Sequence, residues 1–209
     1  MAKLSKYKQF LIEHGFPENL PDYDVESYWD ARYELEQQEI YDWYVQPQLL
    51  KDLFMEFVDS NGRVLELGSG KSAMVDSLNR WGYKELIGSD FSWTVINQKK
   101  SEERYLKRGV RWERVDITKE WPDWGVNCVF EKATLDCLPL HELKRTIDFI
   151  QRNLKERGIF FHISCCPPEA RINILKRWDV KVYEFPKTII PIFGDIDDSK
   201  SYYAYVCTK

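Results

Sequence analysis

Two glycines one residue apart, Gly68 and Gly70, stop an apolar run that carries an acid, Val64-Leu65-Glu66-Leu67, and a helix-like pattern follows them. Twenty residues past Gly70, a second apolar run, Leu86-Ile87-Gly88-Ser89, ends in Asp90. Strand, glycine turn, helix, strand and acid in that order make a nucleotide-type βαβ unit. The glycines let the backbone turn sharply and approach a ligand. The acid closing the second strand is placed to accept hydrogen bonds from a ribose diol.

Three ligands use such a loop. Gly70-Lys71-Ser72 reads like the end of a triphosphate loop, but that motif needs a glycine five positions before Gly70, where Leu65 stands. Gly68-x-Gly70-x-x-Ala73 with Asp90 downstream passes the loose dinucleotide fingerprint. Glu66, two residues before the first glycine, suits a cationic ligand better than a pyrophosphate. S-adenosylmethionine has an amino group and a sulfonium and no phosphate, so it fits the acid-x-Gly-x-Gly pattern. A glycine turn that binds nothing is the bland alternative, against which two glycines, two acids and the strand spacing agree.

The 209 residues suffice for one domain with a sizeable core. A formal net charge of −4 without a long basic run gives a nucleic-acid partner little electrostatic support, and a lysine-bearing protein target fits better. The five cysteines (Cys128, Cys137, Cys165, Cys166, Cys207) form no Cys-x-x-Cys pair and His14, His141 and His162 are scattered, so no metal site is expected. The first residues lack the apolar core of a signal peptide, and no apolar run reaches membrane-spanning length. The expectation is a soluble, cytoplasmic monomer with free thiols and no membrane partner.

Residues 1–24 are polar, with Pro17 and Pro21 as breakers, and read as a short helix and loop. Trp29 and Tyr33 stand four apart and share a helix face. A second aromatic group follows at Tyr41-Asp42-Trp43-Tyr44. Two readings stay open: a helix stapled to the domain by its rings, or a lid whose rings sit against a methylsulfonium by cation–π attraction, worth ~0.5–2 kcal/mol. Helices are expected over 47–58, 72–81, 93–108, 141–154 and 169–177, with Gly158 breaking the fourth. Strands are expected over 63–67, 85–89, 110–115, 126–130, 159–164, 180–185 and 201–208. Strand and helix alternate to about residue 178, which predicts a Rossmann-like, mainly parallel α/β sheet of seven strands with helices on both faces. The last two strands lack a helix between them, so an antiparallel strand is expected at one edge. The chain reads as one domain, with 1–58 as a helical and aromatic lid segment and 59–209 as the α/β core.

Ligands of an open α/β sheet bind beyond the carboxyl ends of the strands. Gly68, Asp90, Asp116, Glu131 and Ser164 all fall at such ends. Asp90 would bind the ribose with Phe91 against the adenine, and Asp116 would accept from the adenine amino group beside the Ile117 amide.

Several segments resemble the small class I methyltransferases that include eukaryotic lysine methyltransferases of a translation elongation factor and of citrate synthase. They are Tyr28-Trp29-Asp30-x-x-Tyr33, Tyr41-Asp42-Trp43-Tyr44, Glu66-Leu67-Gly68-Ser69-Gly70, Gly88-Ser89-Asp90-Phe91-Ser92, Trp112-Glu113-Arg114-Val115-Asp116 and Glu131-Lys132-Ala133-Thr134-Leu135-Asp136. The resemblance covers roughly residues 25–137. It implies S-adenosylmethionine as cofactor, held by Trp29, Tyr33, Trp43, Glu66, Gly68, Ser69, Gly70, Asp90, Phe91, Asp116, Ile117 and Lys132. It also implies Glu131 and Asp136 as the candidate catalytic acids, orienting an acceptor amine or receiving its proton. Two departures stand out: Lys71 replaces a small polar residue, and the segment after Asp136 is shorter than a protein-docking insertion. No Asn-Pro-Pro-Tyr-type loop follows the fourth strand, which argues against amide or adenine methylation by that arrangement. The acceptor readings are a protein lysine and a small-molecule N-, O- or S-nucleophile. Outside methyl transfer stand a partner-binding module that keeps the fold and a dinucleotide oxidoreductase, the latter opposed by Glu66.

Overall fold

In the computed structural model, residues 23–35, 42–119, 122–187 and 201–209 are described. The expected helix and loop over 1–22, Tyr41 and most of the loop 186–200 lie outside those residues. The described elements are α1 (Glu26–Leu35), α2 (Pro47–Phe57), β1 (Val64–Leu67), α3 (Met74–Arg80), β2 (Leu86–Asp90), α4 (Trp93–Leu106), β3 (Arg111–Arg114), β4 (Val126–Lys132), a 3₁₀ turn (Leu135–Cys137), α5 (Leu140–Asn153), β5 (Leu154–Ser164), α6 (Pro168–Leu175), β6 (Asp179–Pro186) and β7 (Ser201–Thr208).

The seven strands form one sheet in the order β3-β2-β1-β4-β5-β7-β6. All pairings from β3 to β5 are parallel, and β7 runs antiparallel between β5 and β6. The reversed strand therefore stands one place in from the edge. The order reverses at β1, whose neighbours are β2 and β4, so the crevice beyond its carboxyl end is where a ligand binds in such a sheet.

Both faces are covered, which is why the central strands read as nearly continuous apolar runs. On one face, Leu50 and Phe54 of α2 are fully buried against Phe130 and Phe161, and Met74 and Leu78 of α3 and Val95 and Ile96 of α4 continue the layer. On the other, Leu143, Ile147 and Ile150 recur at helical spacing on α5 and pack with Val129 and Phe160. Charged residues in fully covered strands therefore stand out. Glu66 in β1 and Glu131 and Lys132 in β4 are all buried.

One boundary differs from expectation by more than two residues. The fourth expected helix ends at Asn153, and β5 begins at Leu154 instead of after Gly158. Leu154 is already extended and pairs with Val126, while the next pairing joins Cys128 to Ile159. The intervening residues make a bulge in which Arg157 takes φ 60. The glycine thus sits in an irregular strand.

Candidate active site

The turn after β1 is left-handed at Gly68 (φ 57) and Gly70 (φ 46). This backbone favours glycine, and the space requires it as well. A Cβ on Gly68 would collide with the Thr134 side chain, and one on Gly70 would come within 2.6 Å of the Tyr33 hydroxyl. Asp90, at the end of β2, is buried and accepts from the Gly70 amide (2.9 Å) and the Ser92 amide (2.9 Å). Burial pushes its carboxyl up to about 6 against the pull of those amides. Phe91 packs on the core from a half-buried position, and its carbonyl accepts from Arg114.

Asp116 follows β3. One of its oxygens takes both the Thr118 amide (3.0 Å) and hydroxyl (2.6 Å), and the other meets Lys119 at 2.7 Å. Burial works to raise its pKa, and the bonds from Lys119 and Thr118 overcome this and hold it low. Ile117 beside it is buried.

Beneath the glycine turn lies a buried polar cluster. Lys132 donates to Asp42 (2.5 Å) and to the Val45 carbonyl (3.0 Å), and Ser72 donates to Asp42 (3.0 Å). Burial lowers the Lys132 pKa, although Asp42 and Glu66 oppose that fall. Glu66 is pushed up to about 8 by burial, more than Lys132 can offset. Its Oε2 and the hydroxyl of Ser69 are buried with no hydrogen-bond partner.

The aromatic segment borders the turn from outside. Trp29 stacks on Tyr33 (5.7 Å), Trp43 meets Trp29 edge-on (6.4 Å), and Arg32 lies over both indoles at 5.5 and 5.4 Å. Polar contacts pin α1 in place: Glu26 to Arg114, Asp30 to the Ser92 hydroxyl (2.5 Å) and Thr94 amide, and Gln98 to the Tyr33 carbonyl. The helix is therefore stapled to α4 and β3, and it also carries Tyr33 to the glycine turn.

Glu131 and Asp136 stand at the carboxyl end of β4. Glu131 and Lys132 are consecutive in a strand and point to opposite faces. Glu131 pairs with His162 Nδ1 and accepts the Leu135 amide (3.0 Å), which fixes the 3₁₀ turn carrying Asp136. Asp136 accepts from Ser164 (2.6 Å) and the Cys165 amide (3.0 Å) and forms an ion pair with Arg171. Burial would raise its pKa, but Arg171 and these donors hold it below the carboxylate range. Tyr44 stands beside Asp136 and Cys165, stacked on Tyr202 at 4.6 Å, in a left-handed backbone (φ 61) that a bulky residue rarely adopts.

Sequence reasoning did not single out Asp42, Tyr44, Thr134, His162 or Arg171 for the site. Asp42 and Thr134 lie inside motifs already prominent, where an acid among aromatics and a hydroxyl after Glu-Lys were the available signals. The pairing of His162 with Glu131 depends on the β4–β5 register, which puts the two side by side.

This fold and glycine turn are those of the class I, S-adenosylmethionine-dependent methyltransferases. The chain belongs to the methyltransferase domain family, which it matches over residues 58–206. It is similar to the eEF1A lysine and N-terminal methyltransferase of Bos taurus, at 23% identity over 204 residues, covering 86% of this chain and 29% of that protein. It is also similar to EEF1A lysine methyltransferase 4 of Bos taurus, at 25% identity over 170 residues, covering 74% and 66%. The chain thus spans under a third of the length of the first relative. Magnesium protoporphyrin IX methyltransferase from Synechocystis PCC 6803 with bound S-adenosylmethionine superposes with a TM-score of 0.65 at 16% identity, covering 92% of this chain and 100% of that one. At that identity the likeness speaks to the fold.

The residues present fit the cofactor. The unpartnered Glu66 Oε2 and Ser69 hydroxyl at the turn suit a cationic, donor-bearing ligand, and the two glycines leave room where side chains would block it. Gly70→Ala should therefore weaken S-adenosylhomocysteine binding by about tenfold or more, since left-handed strain of ~1–2 kcal/mol adds to displacement of Tyr33. Calorimetric titration measures this, and unchanged affinity would remove the turn from the binding site. Among the described residues, no helix is long and apolar enough to cross a membrane.

Proposed function

We propose that the protein transfers a methyl group from S-adenosylmethionine to the side-chain amine of a lysine in a protein substrate. The observation that carries this reading is the ring-lined border of the glycine turn, where Tyr33 reaches Gly70 and Tyr44 continues the wall to Asp136 and Cys165. The similarity to proteins named as eEF1A lysine methyltransferases supports it, and makes elongation factor 1A the first substrate to try.

Bound S-adenosylmethionine supplies a methyl group already activated by a sulfonium. The protein's part is alignment and exclusion of water. Gly68, Ser69 and Gly70 would face the cofactor with Glu66 beneath, Asp90 would take the ribose diol, and Phe91, Asp116 and Ile117 would border the adenine. Trp29, Tyr33 and Trp43 would close the outer side, and Lys132 would hold Asp42 and Val45 in place. A lysine amine, with an ordinary pKa of ~10.4, must arrive neutral, and an apolar ring-walled approach disfavours its cation. Glu131 and Asp136 act by holding the acceptor side together, with a polar partner already on every carboxylate oxygen. We place this chemistry in a monomeric, cytoplasmic enzyme, consistent with five free cysteines.

A second reading, a small-molecule acceptor, is favoured by the short passage from the 3₁₀ turn to α5, which leaves no insertion for docking a protein. Tritiated S-adenosylmethionine, offered with elongation factor 1A and with a metabolite extract, separates the two. Label on a lysine of the protein is expected. Label only in the dialysable fraction would establish the second reading. Asp90→Ala should abolish cofactor binding and labelling together. Binding of NAD in place of S-adenosylhomocysteine would overturn both readings.

A further inference from the structure

The loop joining β5 to α6 borders the acceptor side and holds two thiols to which methyl transfer assigns no chemistry. Cys165 and Cys166 are adjacent and half-buried, and their sulfurs and an Asp136 oxygen all lie within 4.8 Å of one another. Such a triplet could suit a soft cation, but Arg171 already forms an ion pair with Asp136, and its guanidinium would repel a metal. The same guanidinium favours a thiolate. Arg171 is only 4% exposed, and its Nε is buried with no hydrogen-bond partner. The loop is held still around the pair: the Cys166 amide donates to Ser164 (3.0 Å), Tyr205 donates to the Cys166 carbonyl (2.6 Å), and the Cys165 amide donates to Asp136.

The two thiols are unequal. The Cys165 thiol and Arg171 draw the Cys166 pKa down to about 7, against burial and Asp136, whereas its bond to Cys166 pushes Cys165 up. Cys137, nearby in the 3₁₀ turn, is pushed up by burial, as are Cys128 and Cys207.

We propose that Cys165 and Cys166 are a thiol modification site, which a hydroperoxide oxidises to a disulfide between the two adjacent residues. The Cys166 thiolate attacks the terminal peroxide oxygen. The S–O bond forms, the O–O bond breaks, and the departing hydroxide or alkoxide takes a proton. The Cys165 sulfur then attacks the sulfenic sulfur, forming S–S and breaking S–O, and the departing hydroxide leaves as water with the Cys165 proton. Two thiols are oxidised by two electrons and one peroxide is reduced. Neighbouring Cα atoms, about 3.8 Å apart across a trans peptide, are closer than ordinary disulfides prefer, so the bridge is readily reduced by a dithiol. Bridging consumes the Cys165 thiol that meets Tyr44 on the acceptor side of the site.

The test uses the full chain, reduced, desalted and exposed to hydrogen peroxide, with remaining thiols alkylated before digestion and mass spectrometry. The peptide carrying Cys165 and Cys166 should be unalkylated and lighter by two hydrogens, and dithiothreitol should reverse this. Cys128, Cys137 and Cys207 should stay alkylated. In Cys165→Ser, Cys166 should take a dimedone tag, and in Cys166→Ser, Cys165 should stay reduced. Full alkylation of both cysteines in the wild-type chain would overturn the proposal, as would a bridge to Cys137 or between two chains. None of these readouts depends on methyl transfer, so the result stands apart from the activity reading.

Discussion

Glu66→Gln is expected to stabilise the ligand-free protein at pH 8–9 and to flatten its stability between pH 5 and 8. Glu66 is buried, and its carboxyl rises from an ordinary 4.5 to about 8. The unfolded chain releases this proton near 4.5 and the folded chain holds it to about 8. The contribution of Glu66 is therefore fully present below pH 4.5 and is lost as pH rises through 8. At about 1.4 kcal/mol per pKa unit, the loss approaches ~5 kcal/mol. Glutamine has no such proton to lose, so the variant should keep its stability where the wild type declines. Urea unfolding from pH 5 to 9 measures the difference, and parallel curves for the two proteins would refute the burial argument. The same proton reports on the ligand. At pH 7 the free protein holds Glu66 neutral, and a cationic ligand beside it favours the anion. S-adenosylmethionine binding should then release up to about one proton, seen as a dependence of binding heat on buffer ionisation enthalpy, and Glu66→Gln should release none.

Much of this was legible because it is local. The spacing from Gly70 to Asp90 fixes a strand, a turn, a helix and a second strand, and the structure joins the two residues by one hydrogen bond. The final strand, β7, spans 201–208, the bounds expected from the sequence. Its place between β5 and β6 is not legible, because insertion between two earlier strands depends on long-range pairing that no local pattern encodes. The same holds for the polar pairs. Lys132 meets Asp42 across 90 residues and Asp136 meets Arg171 across 35, and each pair forms only after the strand ends converge. Gly158 does not mark the helix stop, because the chain is already extended at Leu154, where pairing with Val126 begins.

Arg171→Met is expected to cost about 3–5 kcal/mol of folding stability, a large effect for one side chain on a short helix. The reason is what it leaves behind. Asp136 and Arg171 have side chains only 8% and 4% exposed, so removing the guanidinium strands a buried carboxylate. The Ser164 hydroxyl and Cys165 amide remain as donors but carry no charge. The Asp136 pKa must then rise, and with it the pH at which the turn loosens. In the wild type the stability from this depressed carboxyl is present above its ordinary 3.8 and is lost as pH falls through its lower folded value. In the variant that contribution is gone at neutral pH. The double change Arg171→Met with Asp136→Asn removes both charges and should recover most of the loss, since the cost lies in the unpaired ion and not in the absent attraction. Urea midpoints for the two singles and the double give the coupling. A loss under about 1 kcal/mol in Arg171→Met would mean that water reaches Asp136, and a double variant no more stable than Arg171→Met would mean that Arg171 acts through packing. The outcome also bears on catalysis. If Asp136→Asn folds normally and binds cofactor yet loses turnover, the acid acts on the acceptor. If turnover falls only in step with stability, Asp136 is the anchor that joins the 3₁₀ turn to the end of β5.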